Sequence, residues 1–198
     1  MASKNFIAIK NSLGAQSITF LNQVHGINGF CVKTSSKSLE LRERDGDFLV
    51  TKERGVAIGV LTADCLPIVL FDKKNCGVGV VHAGWRGSVK NISLKALEMM
   101  QKEFGTNPAD VIAYFGPSAR VCCYEVGRDF EVSALCERGN KFFFDNTNFN
   151  YLQLLEAGVL EENIEKKYNL CTICSELYHS YRRDRDRSGR QATVVVLR

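Results

Sequence analysis

Three side chains in this sequence combine into recognisable chemistry: His25, Cys65 and His82. His25 closes an apolar run in Asn22-Gln23-Val24-His25-Gly26, and His82 ends another in Val80-Val81-His82-Ala83-Gly84-Trp85-Arg86-Gly87. A glycine stands near each histidine, where backbone or ligand can approach closely. Cys65 lies in Thr62-Ala63-Asp64-Cys65, a polar interruption between two apolar segments. Two imidazoles and a thiolate form a three-ligand set suited to catalytic zinc, with a fourth position for water or substrate. The same atoms suit copper. A Cys65–His82 pair also suits nucleophile and general base. The spacing is not that of a compact metal motif, so a buried cysteine beside two hydrogen-bonded histidines remains a third reading.

Other groups offer less. Cys171-Thr172-Ile173-Cys174 is a C-x-x-C, but the remaining candidates for a second pair, Cys122 and Cys123, are adjacent. The spacing therefore favours packing cysteines over a zinc site or redox pair. Gly84–Gly87 precedes a helix whose first N–H groups suit an anion, with Arg86 as a guanidinium fork. No Walker-type Lys-Ser/Thr follows, so nucleoside triphosphate binding is not indicated.

These residues need strands to carry them. Ser17–Val24, Gly29–Thr34, Phe48–Thr51, Val56–Leu61, Leu66–Phe71, Gly77–Val81, Val111–Phe115 and Ala192–Leu197 read as strands. Helices are expected after Gly87, with Gly105 as stop signal, over Arg128–Cys136 and over Tyr151–Ala157. Ser35–Glu43 reads as a loop or short helix. Strands outnumber helices without regular βαβ alternation, which predicts an α+β fold.

The chain has 198 residues, 45% hydrophobic and 24% charged, enough for one domain with its own core. No apolar run is long enough to span a bilayer, and residues 1–20 do not read as an export signal. The eight cysteines are therefore expected to be reduced, in a cytoplasmic protein. The net charge is +4, partly from Arg182, Arg183, Arg185, Arg187 and Arg190. Asp184 and Asp186 interrupt that run, which argues against a nucleic-acid-binding tail but leaves an arginine or two for a phosphate-bearing substrate.

Several strings in fixed order resemble one family: Asn22-Gln23-Val24-His25-Gly26, Leu61-Thr62-Ala63-Asp64-Cys65-Leu66-Pro67, His82-Ala83-Gly84-Trp85-Arg86-Gly87, Gly116-Pro117, Cys122-Cys123-Tyr124-Glu125-Val126-Gly127 and Ser180-Tyr181-Arg182-Arg183-Asp184. The chain resembles the YfiH family, also called laccase-domain, multicopper polyphenol oxidase or DUF152 proteins. The resemblance implies a mixed β-sandwich flanked by helices, and a metal site of His25, Cys65 and His82 holding zinc, with copper as alternative. It implies a purine nucleoside phosphorylase acting on adenosine, inosine, guanosine and methylthioadenosine with phosphate, and possible adenosine deamination. Phenol oxidation and peptidoglycan editing are other activities attached to the family, and related Cys–His deamidase toxins keep a nucleophilic Cys65 open. With only three histidines, the chain is a poor multicopper enzyme. In the leading reading Arg86 and Arg183 hold phosphate, while Tyr124 and Glu125 line the pocket. Asp64 orients a ligand histidine or a substrate hydroxyl, or merely caps a turn. The expected partners are small molecules, with no nucleic acid or membrane, in a monomer or weak homodimer. Family members carry a longer segment before the Gln-Val-His-Gly motif, including Arg-x-Gly-Gly-Val-Ser and Asn-Leu-Gly stretches. Residues 1–198 are thus expected to form a single domain lacking that segment.

Overall fold

A computed structural model describes residues 2–33, 41–128, 130 and 134–198. Its strands are β1 (Ser17–Thr19), β2 (Gly29–Cys31), β3 (Phe48–Thr51), β4 (Val56–Thr62), β5 (Leu66–Asp72), β6 (Gly77–Ala83), β7 (Val111–Phe115), β8 (Glu125–Val126), β9 (Leu135–Arg138), β10 (Lys141–Phe144), β11 (Ile164–Glu165) and β12 (Gln191–Val196). The helices are α1 (Ala2–Ser12), α2 (Trp85–Val89), α3 (Ile92–Phe104), α4 (Asn146–Glu156) and α5 (Tyr181–Asp184).

A six-stranded mixed sheet runs in the order β11-β7-β5-β6-β3-β2, and a three-stranded sheet in the order β1-β4-β12. β-Branched and leucine side chains fill both faces of the central strands. Leu49, Ile58, Val60, Val78 and Val80 pack between the two sheets, while Ile68, Leu70, Ile92, Leu97, Met100 and Leu154 join the large sheet to α3 and α4. On the outer face of the small sheet, Phe6 and Ile9 of α1 cover Ile18, Phe20 and Ala57. The layers are helix, sheet, sheet, helices: the expected α+β sandwich with flanking helices.

The polar interruption Thr62–Cys65 is where the chain leaves the small sheet and enters the large one. Asp64 turns that corner at φ 84°, a left-handed conformation that Asp tolerates better than most residues.

Some expectations need correction. The one helix expected after Gly87 is two: the first already starts at Trp85, so Gly87 lies within it and not ahead of it, and Asn91 at φ 63° breaks it from the second. Gly105 does cap α3 in the left-handed conformation. The helix expected over Arg128–Cys136 is displaced at its end by β9, which pairs with β10. Residues 129 and 131–133 of it lie outside the described residues, as do 35–40 of the Ser35–Glu43 segment and residue 34 at the end of the strand expected over Gly29–Thr34. The strand expected over Ser17–Val24 stops at Thr19, since beyond it the chain turns toward Asp47. α4 starts at Asn146, ahead of the expected Tyr151, because the Asp145 carboxylate caps the Asn148 N–H. α1 was not foreseen. Among the described residues no helix is long and apolar enough to cross a membrane.

Candidate active site

The β5–β6 hairpin brings Cys65 and His82 together: Leu66 pairs with Ala83 and Pro67 with His82, so Cys65 lies one step beyond the ladder. His25 arrives from the loop after β1, with φ 59°. One carboxylate fixes both histidines. Asp47 Oδ1 is 2.7 Å from His82 Nδ1 and 2.9 Å from the His25 N–H, and Oδ2 is 2.6 Å from the Gly26 N–H. The Asp47 carbonyl also accepts the His82 N–H at 2.7 Å. His82 and Asp47 are buried, and the two imidazoles meet edge to face at 4.8 Å.

Asp47 leaves Nε2 of His82 to face Cys65. The ligand atoms of His25, Cys65 and His82 all lie within 4.8 Å of one another. Gly84 makes this approach possible: a Cβ there would stand 2.9 Å from His25 Cδ2 and 3.2 Å from Cys65 Sγ. Gly87 performs a similar service for the His25 loop, since its Cβ would meet the Gly26 carbonyl oxygen at 2.9 Å.

Electrostatics follow from the packing. Burial pushes the Cys65 thiol up, but hydrogen bonds to His25 and His82 and their positive charge outweigh it and bring it down to about 6. Burial opposes charge on His82 too, yet Asp47 and Cys65 raise it to about 9. Asp47 is held below the usual carboxylate range: burial raises it, and the bonds from His82 and the backbone N–H groups of Gly26 and His25 prevail. The result is a line of alternating charge, carboxylate to imidazolium to thiolate. Two imidazole nitrogens and a sulfur at this separation, with a carboxylate behind one ring, fit a zinc or copper ion with an open coordination position.

The trio opens onto a cavity of about 720 Å³, lined also by Gln23, Leu61, Asp64, Tyr124, Tyr181, Arg182, Arg185 and Arg190. The Gln23 amide clamps the Leu61 backbone, accepting its N–H at 2.7 Å and donating to its carbonyl at 2.8 Å. Arg182 lies over the Tyr124 ring at 5.1 Å, and its guanidinium donates to the Glu125 carbonyl. Burial keeps the Tyr124 hydroxyl well above the usual phenol range.

The other expected site residues fare unequally. Asp64 borders the cavity but touches neither histidine; its carboxylate accepts the Thr172 hydroxyl at 2.6 Å and the Arg182 N–H at 2.7 Å. The carboxylate that orients a histidine is Asp47. Arg183 is engaged elsewhere, because its guanidinium donates to the carbonyls of Thr172, Ser175 and Tyr178 and pairs with Asp184. Arg86 is exposed and stacks on Trp85 at 4.6 Å, and it is not among the described residues that line the cavity. The Glu125 carboxylate turns outward to Lys141 at 2.8 Å. The arginines that do face the cavity are Arg182, Arg185 and Arg190. Sequence reasoning left one or two arginines of their run for a phosphate-bearing substrate but named Arg183 among them. It missed Asp47 altogether, although an acid directly ahead of the apolar run Phe48–Thr51 was a signal of buried charge.

Comparison with known proteins follows the same lines. The profile of the family described as "Multi-copper polyphenol oxidoreductase laccase" matches residues 2–198. A protein of Aquifex aeolicus named purine nucleoside phosphorylase is 40% identical over 171 residues, 82% of this chain and 79% of its own length. One of that name from Clostridium acetobutylicum is 30% identical over 200 residues, 97% of this chain and 82% of its own. Among solved structures, Bacillus licheniformis hypothetical protein YfiH superposes with a TM-score of 0.88 at 25% identity, covering 98% of this chain and 80% of its own. YlmD from Geobacillus stearothermophilus gives 0.87 at 28%, covering 98% and 79%.

Proposed function

The chain belongs to the family described as "Multi-copper polyphenol oxidoreductase laccase", and on that premise we propose that it is a metal-dependent purine nucleoside phosphorylase. The observation that carries this reading is one cavity holding both the His25–Cys65–His82 ligand trio and three arginines. The names of its relatives agree with it.

The reaction needs three things: an anion held still, a flat base gripped, and charge offset as the glycosidic bond breaks. Arg182, Arg185 and Arg190 bind phosphate, because guanidinium forks match its oxygens. Tyr124 and Tyr181 present rings to the purine. A phosphate oxygen bonds to C1′ of the ribose as the bond from C1′ to the purine nitrogen breaks, and its electron pair leaves with the base, which takes up a proton. A zinc ion held by His25, Cys65 and His82, or copper in its place, would polarise a substrate or phosphate oxygen, or activate water for deamination of adenosine. Asp47 keeps His82 in one tautomer and orientation. Asp64 positions Arg182 through its backbone N–H.

The test is purine base release from adenosine, inosine, guanosine and methylthioadenosine, with and without phosphate, in the parent and Cys65→Ser. Phosphate-dependent release that disappears in the variant supports the proposal. No release from folded, metal-loaded parent rejects it.

The lowered Cys65 thiol beside His82 favours one second reading, a Cys–His amidohydrolase. It requires that metal-free protein turn over an amide and that an electrophile trap Cys65 with loss of that turnover.

A further inference from the structure

The described residues contain a second group of metal-ligating side chains, outside the cavity trio. The Sγ atoms of Cys122, Cys123, Cys171 and Cys174 all lie within 4.8 Å of one another. Cys174 Sγ reaches two of them, Cys123 at 3.1 Å and Cys122 at 3.6 Å. In sequence, Cys122 and Cys123 are adjacent and lack the two-residue spacing of a second C-x-x-C pair, which speaks against a shared site. The fold removes the objection. Residues 121–123 form a turn, in which the N–H groups of Cys123 and Tyr124 both donate to the Arg120 carbonyl, at 2.9 and 2.8 Å. Both side chains then reach the same point.

The partner segment is equally constrained. Cys171–Cys174 is itself a turn, closed by the Ser175 N–H on the Cys171 carbonyl at 3.2 Å. The backbone N–H groups of Arg120 and Cys174 donate to Cys171 Sγ. Ser118 joins the two segments, donating to the Leu170 carbonyl and accepting the Thr172 N–H, each at 3.0 Å.

We propose that Cys122, Cys123, Cys171 and Cys174 form a tetrathiolate site for a tetrahedral divalent cation of the zinc type, distinct from His25, Cys65 and His82. A tetrahedron with Zn–S bonds of about 2.3 Å has edges of about 3.8 Å, inside the range these sulfurs span. Binding forms one metal–sulfur bond to each of the four cysteines and releases each thiol proton. An all-cysteine shell is closed, with no position left for substrate, so the ion is structural. A disulfide would pair one sulfur with one other, whereas here Cys174 is shared between two neighbours.

The site braces the cavity wall. Tyr124 follows Cys123 directly. Thr172 follows Cys171 and bonds to Asp64, which holds the Arg182 N–H. The inference does not depend on the phosphorylase reading and stands or falls separately.

The decisive protein is the full chain with Cys65→Ser, which weakens the first site without touching the four thiols. Prepared reduced and without oxygen, then loaded with zinc, it should retain one equivalent through gel filtration. X-ray absorption should place four sulfurs at about 2.3 Å from that zinc. Loading with Co2+ should give the intense thiolate-to-metal charge-transfer absorption of a sulfur-only shell, which His25 and His82 cannot produce. Adding Cys171→Ser and Cys174→Ser should abolish the signal and remove the rise in unfolding temperature that zinc confers. The proposal is overturned if the folded Cys65→Ser protein retains no zinc, or holds it through nitrogen or oxygen. It is equally overturned if alkylation trapping in reducing cells finds these sulfurs joined as disulfides.

Discussion

Asp47 Oδ1 stands 2.7 Å from His82 Nδ1, and the same carboxylate accepts the backbone N–H groups of His25 and Gly26. One buried acid therefore sets the orientation of one candidate ligand and the loop position of the other. Replacing it by alanine strands a buried imidazolium and two backbone donors. Asp47→Ala should cost about 3–5 kcal/mol of stability, the range for breaking a buried ion pair. Asp47→Asn keeps the shape but loses the charge, and should weaken zinc about 10–100-fold in a competition titration. Unchanged zinc affinity in a folded Asp47→Asn protein would mean that the carboxylate does not tune the site.

The Cys65 thiol provides a pH signature in metal-free protein. Its value is brought down to about 6 by the histidines. The reactive thiolate is then the folded form above that pH and is lost by protonation below it. Iodoacetamide labelling of Cys65 should be nearly constant from pH 7 upward and fall below about 6. In urea the same thiol should label with the profile of an ordinary cysteine, rising through about pH 8.5. Zinc should suppress labelling of the folded form.

The arginines should separate into two kinds. Arg185 and Arg190 face the cavity, so substitution by alanine should raise the KM for phosphate about tenfold or more and leave the unfolding temperature in place. Arg183 holds the carbonyls of Thr172, Ser175 and Tyr178, so Arg183→Ala should lower the unfolding temperature first. A phosphate KM that moves with Arg183 alone, at unchanged stability, would reverse the assignment.

Gly84 tests the closeness of the trio. The alanine methyl group would collide with His25 Cδ2 at 2.9 Å. The His25 ring is exposed and can move, so Gly84→Ala should fold. Displacement of a ligand by roughly 1 Å should still lower kcat/KM about a hundredfold and reduce zinc retention. Equal activity in parent and variant would show that His25 tolerates displacement.

The sequence by itself determined the strands that carry the chemistry. β3, β4, β5, β6 and β7 form where apolar, β-branched runs predict them, because burial on both faces leaves little room for another period. The family motifs pointed to His25, Cys65 and His82, and those residues do converge. Tertiary structure alone decided the rest. Asp47 becomes the partner of His82 through the pairing of β3 with β6, which joins residues 35 apart in sequence. Asp64 and Arg183 carry the chemistry expected of site residues, yet both are drawn into holding Thr172 and its neighbours. Adjacent cysteines looked unfit for a shared site until a turn at Arg120–Cys123 brought them to one point. Periodicity registers how a segment is buried, whereas the partner of a polar group is fixed by where the chain returns in space, and no local spacing encodes that return.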